Sequence, residues 1–339
     1  MDIVGADRAM FDPAIKGHLS VRTRLRERLE AGRLPGSMLF VGLEGIGKRR
    51  VAMELAQREL CFRRNACGQC EGCRAFKADS LPVEWPNLLR IAPEGKAGLI
   101  RIGAIREDDL VEGGVIRWAH QAAPAGCHRW ILVEDAHRLN GASANMLLKT
   151  IEEPPIGTHF LLITHRPESV LQTIRSRCER IAFSPLEDDE AWAVAQEAGW
   201  KEEDRPVWTA LASGTLRYLD PEAFDRASRQ IEAWLDLAEG DLFASAAKPL
   251  LPEKDSDLAQ GEQVARGLEL LMLVLGDVAR LREGKALRLE PWRPRIQKLA
   301  QSALSLPVPL HGAFDALRNL ARNPSAESLL REVAMTLAG

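Results

Sequence analysis

The sequence has no long apolar run, little excess of charge of either sign and few aromatic side chains. No stretch of about 18 apolar residues occurs, which argues against a membrane-spanning helix. The N-terminus lacks the basic-then-apolar layout of a secretory signal, so we expect a cytoplasmic protein with no membrane partner. The formal net charge is -3, which argues against binding to nucleic acid by bulk charge. Aromatic residues make up 5% of the chain, so platforms for stacking nucleic-acid bases are not evident.

The apolar residues that are present can bury a large core. They account for 46% of the 339 residues, and we expect two or three domains. Buried strands are predicted at 37–41, 130–133 and 160–164, with helices at 49–60 and 140–153 between them. Strands that alternate with helices indicate a parallel sheet, which places ligands at the carboxyl ends of strands. After Pro185 the pattern is helical, with a boundary predicted near 186 and a second near 222. The predicted fold class is therefore α/β followed by an all-α region.

A glycine-rich loop follows the first predicted strand and precedes a helix. Gly42, Gly45, Gly47 and Lys48 give the pattern G-x-x-x-x-G-K, in which backbone N–H groups surround phosphates and the lysine neutralises them. The Ser or Thr that would coordinate Mg²⁺ is replaced by Arg49, which has no oxygen to offer. The alternative is a glycine turn with a solvated lysine.

Four of the six cysteines are crowded into a short segment. Cys61, Cys67, Cys70 and Cys73 give the spacing C-x5-C-x2-C-x2-C, which supplies the four thiolates of a closed structural zinc site. A chain without an export signal favours metal over disulfides. The alternatives are unrelated thiols or a redox-active C-x-x-C pair.

Polar residues also follow the other predicted strands. Glu134 and Asp135 stand where a nucleotide-binding sheet holds one carboxylate for Mg²⁺ and one for the attacking water, but the usual order is Asp then Glu. The alternative is a surface acidic turn. Thr164 could touch a γ-phosphate or simply cap its strand. Arg177 could reach a neighbour's nucleotide from an oligomer interface or pair with surface acids.

Together these motifs resemble the bacterial clamp-loader subunits, which are AAA+ proteins. The resemblance spans 21–185 and rests on the loop, the cysteines, I-L-V-E-D-A at 131–136, N-M-L-L-K-T-I-E-E-P-P at 145–155 and S-R-C at 176–178. It implies an AAA+ module at 1–185 with a zinc module at 61–73, a helical lid at 186–222 and a helical collar at 223–339. It also implies a hetero-pentamer with motor and delta subunits that uses ATP to place a sliding clamp on primed DNA.

Within that family, Arg49 and the Glu134–Asp135 order make the chain similar to the delta-prime type of the DNA polymerase III clamp loader. The four cysteines then look like zinc ligands, and Arg177 like an arginine finger acting on an adjacent subunit's ATP. Thr164 takes the first sensor position, and Arg217 falls where AAA+ proteins carry a second phosphate-sensing arginine. Lys48 departs from the most degenerate delta-prime pattern, which leaves ATP binding open.

The leading hypothesis is therefore a stationary subunit that does not hydrolyse ATP and has no activity of its own. The alternative is an active AAA+ ATPase motor subunit in which Lys48, Glu134 and Asp135 all work in the same chain. A third possibility is a zinc-dependent DNA-binding module, which the mild acidity disfavours.

Overall fold

The chain forms two compact units, Met1–Glu190 and Ala191–Gly339. The computed structural model describes residues 15–61, 67, 69–70, 73, 87–93, 100, 114–121, 128–240, 248–253, 260–302, 309, 311–313, 315–316 and 333. Much of the predicted collar beyond residue 302 lies outside these described residues. The predicted division of the chain into three domains stays a prediction.

The first unit contains a parallel sheet with helices on both faces. Its strands are β1 (Ser37–Val41), β2 (Leu88–Ile91), β3 (Arg129–Val133), β4 (Thr158–Thr164) and β5 (Glu179–Ala182). Its helices are α1 (Leu19–Glu30), α2 (Lys48–Leu60), α3 (Gly114–His120), α4 (Gly141–Glu152) and α5 (Gln172–Arg175). The strand order is β2-β3-β4-β1-β5, and every adjacent pair is parallel. The predicted parallel sheet is thus confirmed, and β1, β3 and β4 are the three strands that the sequence predicted.

The sheet holds the unit together because its central strands bury both of their faces. Every residue of β1, β3 and β4 is buried. Side chains such as Phe40, Trp130 and Leu161 pack on one face with α1 and α2. Their neighbours, such as Leu39 and Ile131, pack on the other face with α3 and α4. Continuous apolar sequence is what a central parallel strand requires.

Helix α4 begins and ends where the sequence predicted. The Asn140 side chain accepts a hydrogen bond of 2.7 Å from the backbone N–H of Ser143, which is an N-terminal cap. Leu147 and Ile151 are fully buried against the sheet. The helix ends at Glu152, just before Pro154, because proline cannot continue it.

The second unit is helical throughout its described part. The helices are α6 (Asp188–Glu197, which begins at the end of the first unit), α7 (Arg205–Ala212), α8 (Pro221–Ala238), α9 (Gln260–Arg282) and α10 (Arg293–Gln301). Trp208 and Trp234 are fully buried in its core, and each indole N–H donates to a backbone carbonyl at 2.8 Å. Within the described part of the chain, no helix combines the length and the apolar composition that crossing a membrane requires.

Candidate functional site

The glycine loop between β1 and α2 has a backbone that only glycine adopts easily. Gly42, Gly45 and Gly47 have φ angles of 153°, 75° and 93°. A Cβ on Gly42 would lie 2.6 Å from the carbonyl oxygen of Phe183, so no other residue fits there. Gly47 is the N-cap of α2, which directs the loop and the helix N-terminus to the same point. This is the arrangement that binds phosphate through backbone N–H groups.

Lys48 is turned back onto this loop. Its side chain is 5% exposed, and its ammonium group donates to the carbonyl of Gly42 at 2.8 Å and to the carbonyl of Leu43. These two carbonyls stabilise the buried charge. The lysine that the sequence assigned to phosphate therefore contacts the loop itself in this structure.

His18 also contacts the loop. Its Nε2 lies 2.6 Å from the carbonyl oxygen of Ile46, and its ring meets that of Phe183 edge-on at 5.0 Å. Burial lowers the pKa of His18, with the hydrogen bond to Ile46 acting in the opposite direction. The neutral ring donates Nε2–H to that carbonyl, so His18 helps to position the loop.

Glu134 is engaged by two arginines. Its Oε1 accepts from Nε of Arg90 at 2.7 Å, and its Oε2 accepts from Nη2 of Arg90 at 3.1 Å. Nη1 of Arg49 lies 3.7 Å from the same Oε2. Arg49 thus occupies the position of the missing hydroxyl and also pairs with the carboxylate that the sequence assigned to Mg²⁺. Because Mg²⁺ needs oxygen ligands that are free to coordinate it, these residues do not fit a hydrolytic Mg²⁺ site.

Asp135 belongs to a different group of side chains. It lies in the left-handed region at φ 46°, and its Oδ1 is 3.5 Å from Nδ1 of His165. Burial works against ionisation of Asp135, but the hydrogen bond from His165 and the nearby charges of His137 and Arg138 outweigh it, so its pKa is lowered. The pKa of His137 is lowered to about 4, chiefly because burial disfavours the charged ring.

Thr164, the predicted first sensor, contacts this group. Its Oγ1 lies 3.1 Å from Nδ1 of His137 and accepts the backbone N–H of Arg166 at 3.0 Å. The rings of His137 and His165 meet edge-on at 4.5 Å.

A cleft of about 300 Å³ joins most of these residues. It is lined by residues 44–49 of the loop together with Glu134, Asp135, Ile163 and His165. The fold therefore brings the predicted Gly45, Gly47, Lys48, Glu134 and Asp135 to one cleft.

The two predicted arginines lie on other parts of the chain. Arg177 follows the short helix α5, and its Nε donates to Glu152 at 2.6 Å. Arg217 lies in the second unit and donates to Glu269 at 2.6 Å.

The four clustered cysteines converge as the sequence predicted. The Sγ atoms of Cys67 and Cys73 are 4.0 Å apart, and those of Cys70 and Cys61 are 3.9 Å apart. None of the four forms a disulfide bond, and the two distances are close to the separation of about 3.8 Å between thiolates around zinc. Backbone N–H groups of Cys67, Cys70 and Cys73 point at the sulfurs at 3.4–3.5 Å. The cluster could hold a structural metal such as zinc.

Three side chains of the site were missed by the sequence analysis. Arg90 gave no signal, because nothing in the sequence connects it to Glu134. His137 and His165 gave no signal through spacing, because the seven histidines of the chain are not regularly spaced. Each of them follows the end of a buried strand, however, and the carboxyl ends of parallel strands meet at one edge. Their position after the ends of two neighbouring strands was the signal that could have identified them as site residues.

A five-stranded parallel sheet with a phosphate-type loop after β1, followed by a helical region, defines an AAA+-like fold. Residues 17–187, half of the chain, match the family model described as DNA polymerase III, delta subunit. The chain belongs to this family. Proteins named DNA polymerase III subunit delta' are among the relatives that this chain resembles in sequence.

Two delta' relatives illustrate the extent of the similarity. The Escherichia coli K12 protein is 34% identical over 46% of this chain and 44% of its own length. The Pseudomonas aeruginosa PAO1 protein is 39% identical over 41% and 40%, respectively. The matched segment thus spans less than half of these relatives.

The similarity also extends to a tau subunit and to a solved structure. DNA polymerase III subunit tau of Salmonella typhimurium LT2 is 27% identical over 91% of this chain and 47% of its own length. The structure of a DNA polymerase III gamma subunit-related protein from Thermotoga maritima is 16% identical, with a TM-score of 0.40, and covers 93% of this chain and 98% of its own.

Proposed function

We propose that this chain is a delta-prime-type subunit of a bacterial clamp loader that does not hydrolyse ATP itself. The observation that carries the proposal is the pairing of Glu134 with Arg90 and Arg49. Hydrolysis of ATP in related enzymes requires Mg²⁺ held by a hydroxyl and a carboxylate, and a second residue that orients water. Here a guanidinium replaces the hydroxyl, and the carboxylate that would bind the metal accepts hydrogen bonds from Arg90.

In this proposal the loop keeps a structural role. Gly42, Gly47 and Lys48 preserve the backbone of a phosphate-binding loop, so the loop could still bind ATP without hydrolysing it. Arg217 would be the second phosphate-sensing arginine of the lid, and Thr164 the first sensor.

The active contribution would come from Arg177, as an arginine finger on the ATP of a neighbouring subunit. Its support is its exposure: its guanidinium donates only to exposed Glu152 and to the backbone carbonyl of Thr173 among the described residues. The ion pair with Glu152 joins side chains that are 32% and 54% exposed, and such a surface pair contributes at most about 1 kcal/mol. A neighbour's phosphate, with more charge and three oxygens, can therefore displace Glu152 at small cost.

The remaining parts of the chain fit this role. Cys61, Cys67, Cys70 and Cys73 would bind one structural zinc, and residues 186–222 and 223–339 would form the lid and the collar. The partners would be the motor and delta subunits and, through the complex, the sliding clamp and primed DNA. The names of the delta' and tau relatives support this assignment.

The test is ATP turnover by the reconstituted clamp loader with an Arg177→Ala subunit. An arginine finger contributes about 10³- to 10⁵-fold to turnover in related phosphoryl transfers. The neighbouring ATP site that Arg177 contacts should therefore lose nearly all of its ATP turnover. Arg175→Ala is the matched control, since Arg175 lies on the same segment and pairs with exposed Glu168. Normal turnover and clamp loading with Arg177→Ala would show that Arg177 is not an arginine finger.

The second candidate is an active motor subunit, which the intact glycine loop and Lys48 favour. It requires Glu134 to leave Arg90 when nucleotide binds. Mg²⁺-dependent turnover by the isolated chain would distinguish it from the leading proposal.

A further inference from the structure

We propose that Asp135, His137 and His165 form a second metal site, which takes a late first-row divalent ion such as Zn²⁺ or Ni²⁺. This site lies at the carboxyl ends of β3 and β4 and is separate from the four cysteines. It goes beyond the proposed function and does not depend on it.

The geometry brings one donor atom from each residue to the same place. The three ligand atoms all lie within 4.8 Å of one another. Ligands around a tetrahedral zinc ion lie about 3.3 Å apart, so small side-chain rotations would close the group on a metal. Asp135 and His165 line the cleft beside the glycine loop, which gives an ion an entry path from solvent.

His137 carries the observation that points to a ligand. Its Nε2 is buried and has no hydrogen-bond partner among the described residues. A buried ring nitrogen without a partner is costly unless something binds it. Its other nitrogen, Nδ1, faces Oγ1 of Thr164, which in turn accepts the N–H of Arg166. When Nδ1–H donates to Thr164, the lone pair of Nε2 is free for a metal.

This arrangement matches the usual support of a metal-binding histidine, in which the second ring nitrogen donates to a fixed oxygen. Thr164 is fully buried, so its position is fixed by packing. We therefore assign Thr164 as a positioning residue for His137.

The donor set selects the kind of metal. Two imidazoles and one carboxylate suit Zn²⁺, Ni²⁺ or Cu²⁺, whereas Mg²⁺ prefers oxygen ligands alone. Three protein ligands leave at least one coordination position open, unlike the closed cysteine cluster. The ion would replace the pairing of His165 with Asp135 by stronger metal bonds.

The experiment is a calorimetric titration of the full chain with Ni²⁺, after its zinc content has been measured. We expect one equivalent of Ni²⁺ to bind without displacing zinc. Asp135→Asn and His165→Gln preserve side-chain size and should lose this equivalent. Thr164→Val should weaken it about 10- to 100-fold, since it removes only the oxygen that positions His137.

Two controls separate this site from other metal-binding groups. His120→Gln changes an exposed histidine of α3 and should leave nickel binding unchanged. Cys70→Ser should lower zinc content and keep the nickel equivalent. The proposal is overturned if no nickel binds, if Asp135→Asn and His165→Gln still bind it, or if His120→Gln loses it too.

Discussion

Arg90 of β2 holds both carboxylate oxygens of Glu134, which follows β3, at 2.7 and 3.1 Å. The sheet fixes this pair, because Arg90 stands opposite Leu132 and the N–H of Glu134 donates to the carbonyl of Ile91 at 2.8 Å. The pairing is thus a property of strand register. In the proposed function, this pairing keeps the Glu134 carboxylate from binding Mg²⁺ although the glycine loop is well formed.

The first prediction concerns the two arginines that hold Glu134. Arg49→Thr alone restores the hydroxyl and should not create Mg²⁺-dependent nucleotide binding, because Arg90 still pairs with Glu134. The double variant Arg49→Thr/Arg90→Gln releases the carboxylate and should gain about tenfold in Mg²⁺-dependent affinity, or about 1.4 kcal/mol. Binding of a labelled ATP analogue with and without Mg²⁺ measures this.

The matched control adds Glu134→Gln to the double variant, which should abolish the gain. Mg²⁺-dependent binding by Arg49→Thr alone would show that the pair with Arg90 does not block the site.

The second prediction concerns the cysteine cluster. The cysteine cluster of the purified chain should hold one tightly bound equivalent of zinc, and Cys70→Ser should lose that equivalent and unfold locally, because metal binding stabilises such a segment. Elemental analysis and limited proteolysis report the two effects. Cys178→Ser is the control: burial raises the pKa of the Cys178 thiol to about 12, so it stays protonated and is not a ligand. A metal-free chain of unchanged proteolytic resistance would contradict the zinc assignment.

The third prediction concerns His18 and pH. Burial lowers the pKa of His18 below the ordinary histidine value of 6.5, so the unfolded chain binds the proton first as the pH falls. The contribution of His18 to the free energy of unfolding is therefore fully present above pH 6.5. It falls as the pH drops toward the pKa of His18 in the folded chain, and below that pKa it is constant. His18→Asn tolerates the left-handed backbone at φ 56° and removes the titrating ring.

Urea unfolding at about pH 7.5 and about pH 5.5 checks this third prediction. The stability difference between the wild-type chain and His18→Asn should shrink at the lower pH. A constant difference would mean that the pKa of His18 is the same in the folded and the unfolded chain.

Much of the fold could be predicted from the sequence, because long buried strands are continuous apolar runs. β1, β3 and β4 were predicted on that basis. β2 and β5 were not, since Arg90 interrupts the short apolar run of β2, and β5 buries only Ile181. An edge strand with one buried residue gives no periodic signal.

The site was predictable where function depends on local spacing. The glycine loop and the four cysteines are short segments whose geometry follows from sequence alone. The pairing of Arg90 with Glu134 could not be predicted from the sequence, because it joins residues 44 positions apart through the sheet. The same holds for His137 and His165, which come together only when β3 and β4 lie side by side.

Mg²⁺-dependent ATP turnover by the purified, isolated chain shows whether this subunit hydrolyses ATP itself. We predict turnover at background level, equal to that of a Lys48→Ala variant measured beside it. Robust turnover that Lys48→Ala abolishes would contradict the account and make this chain a motor subunit.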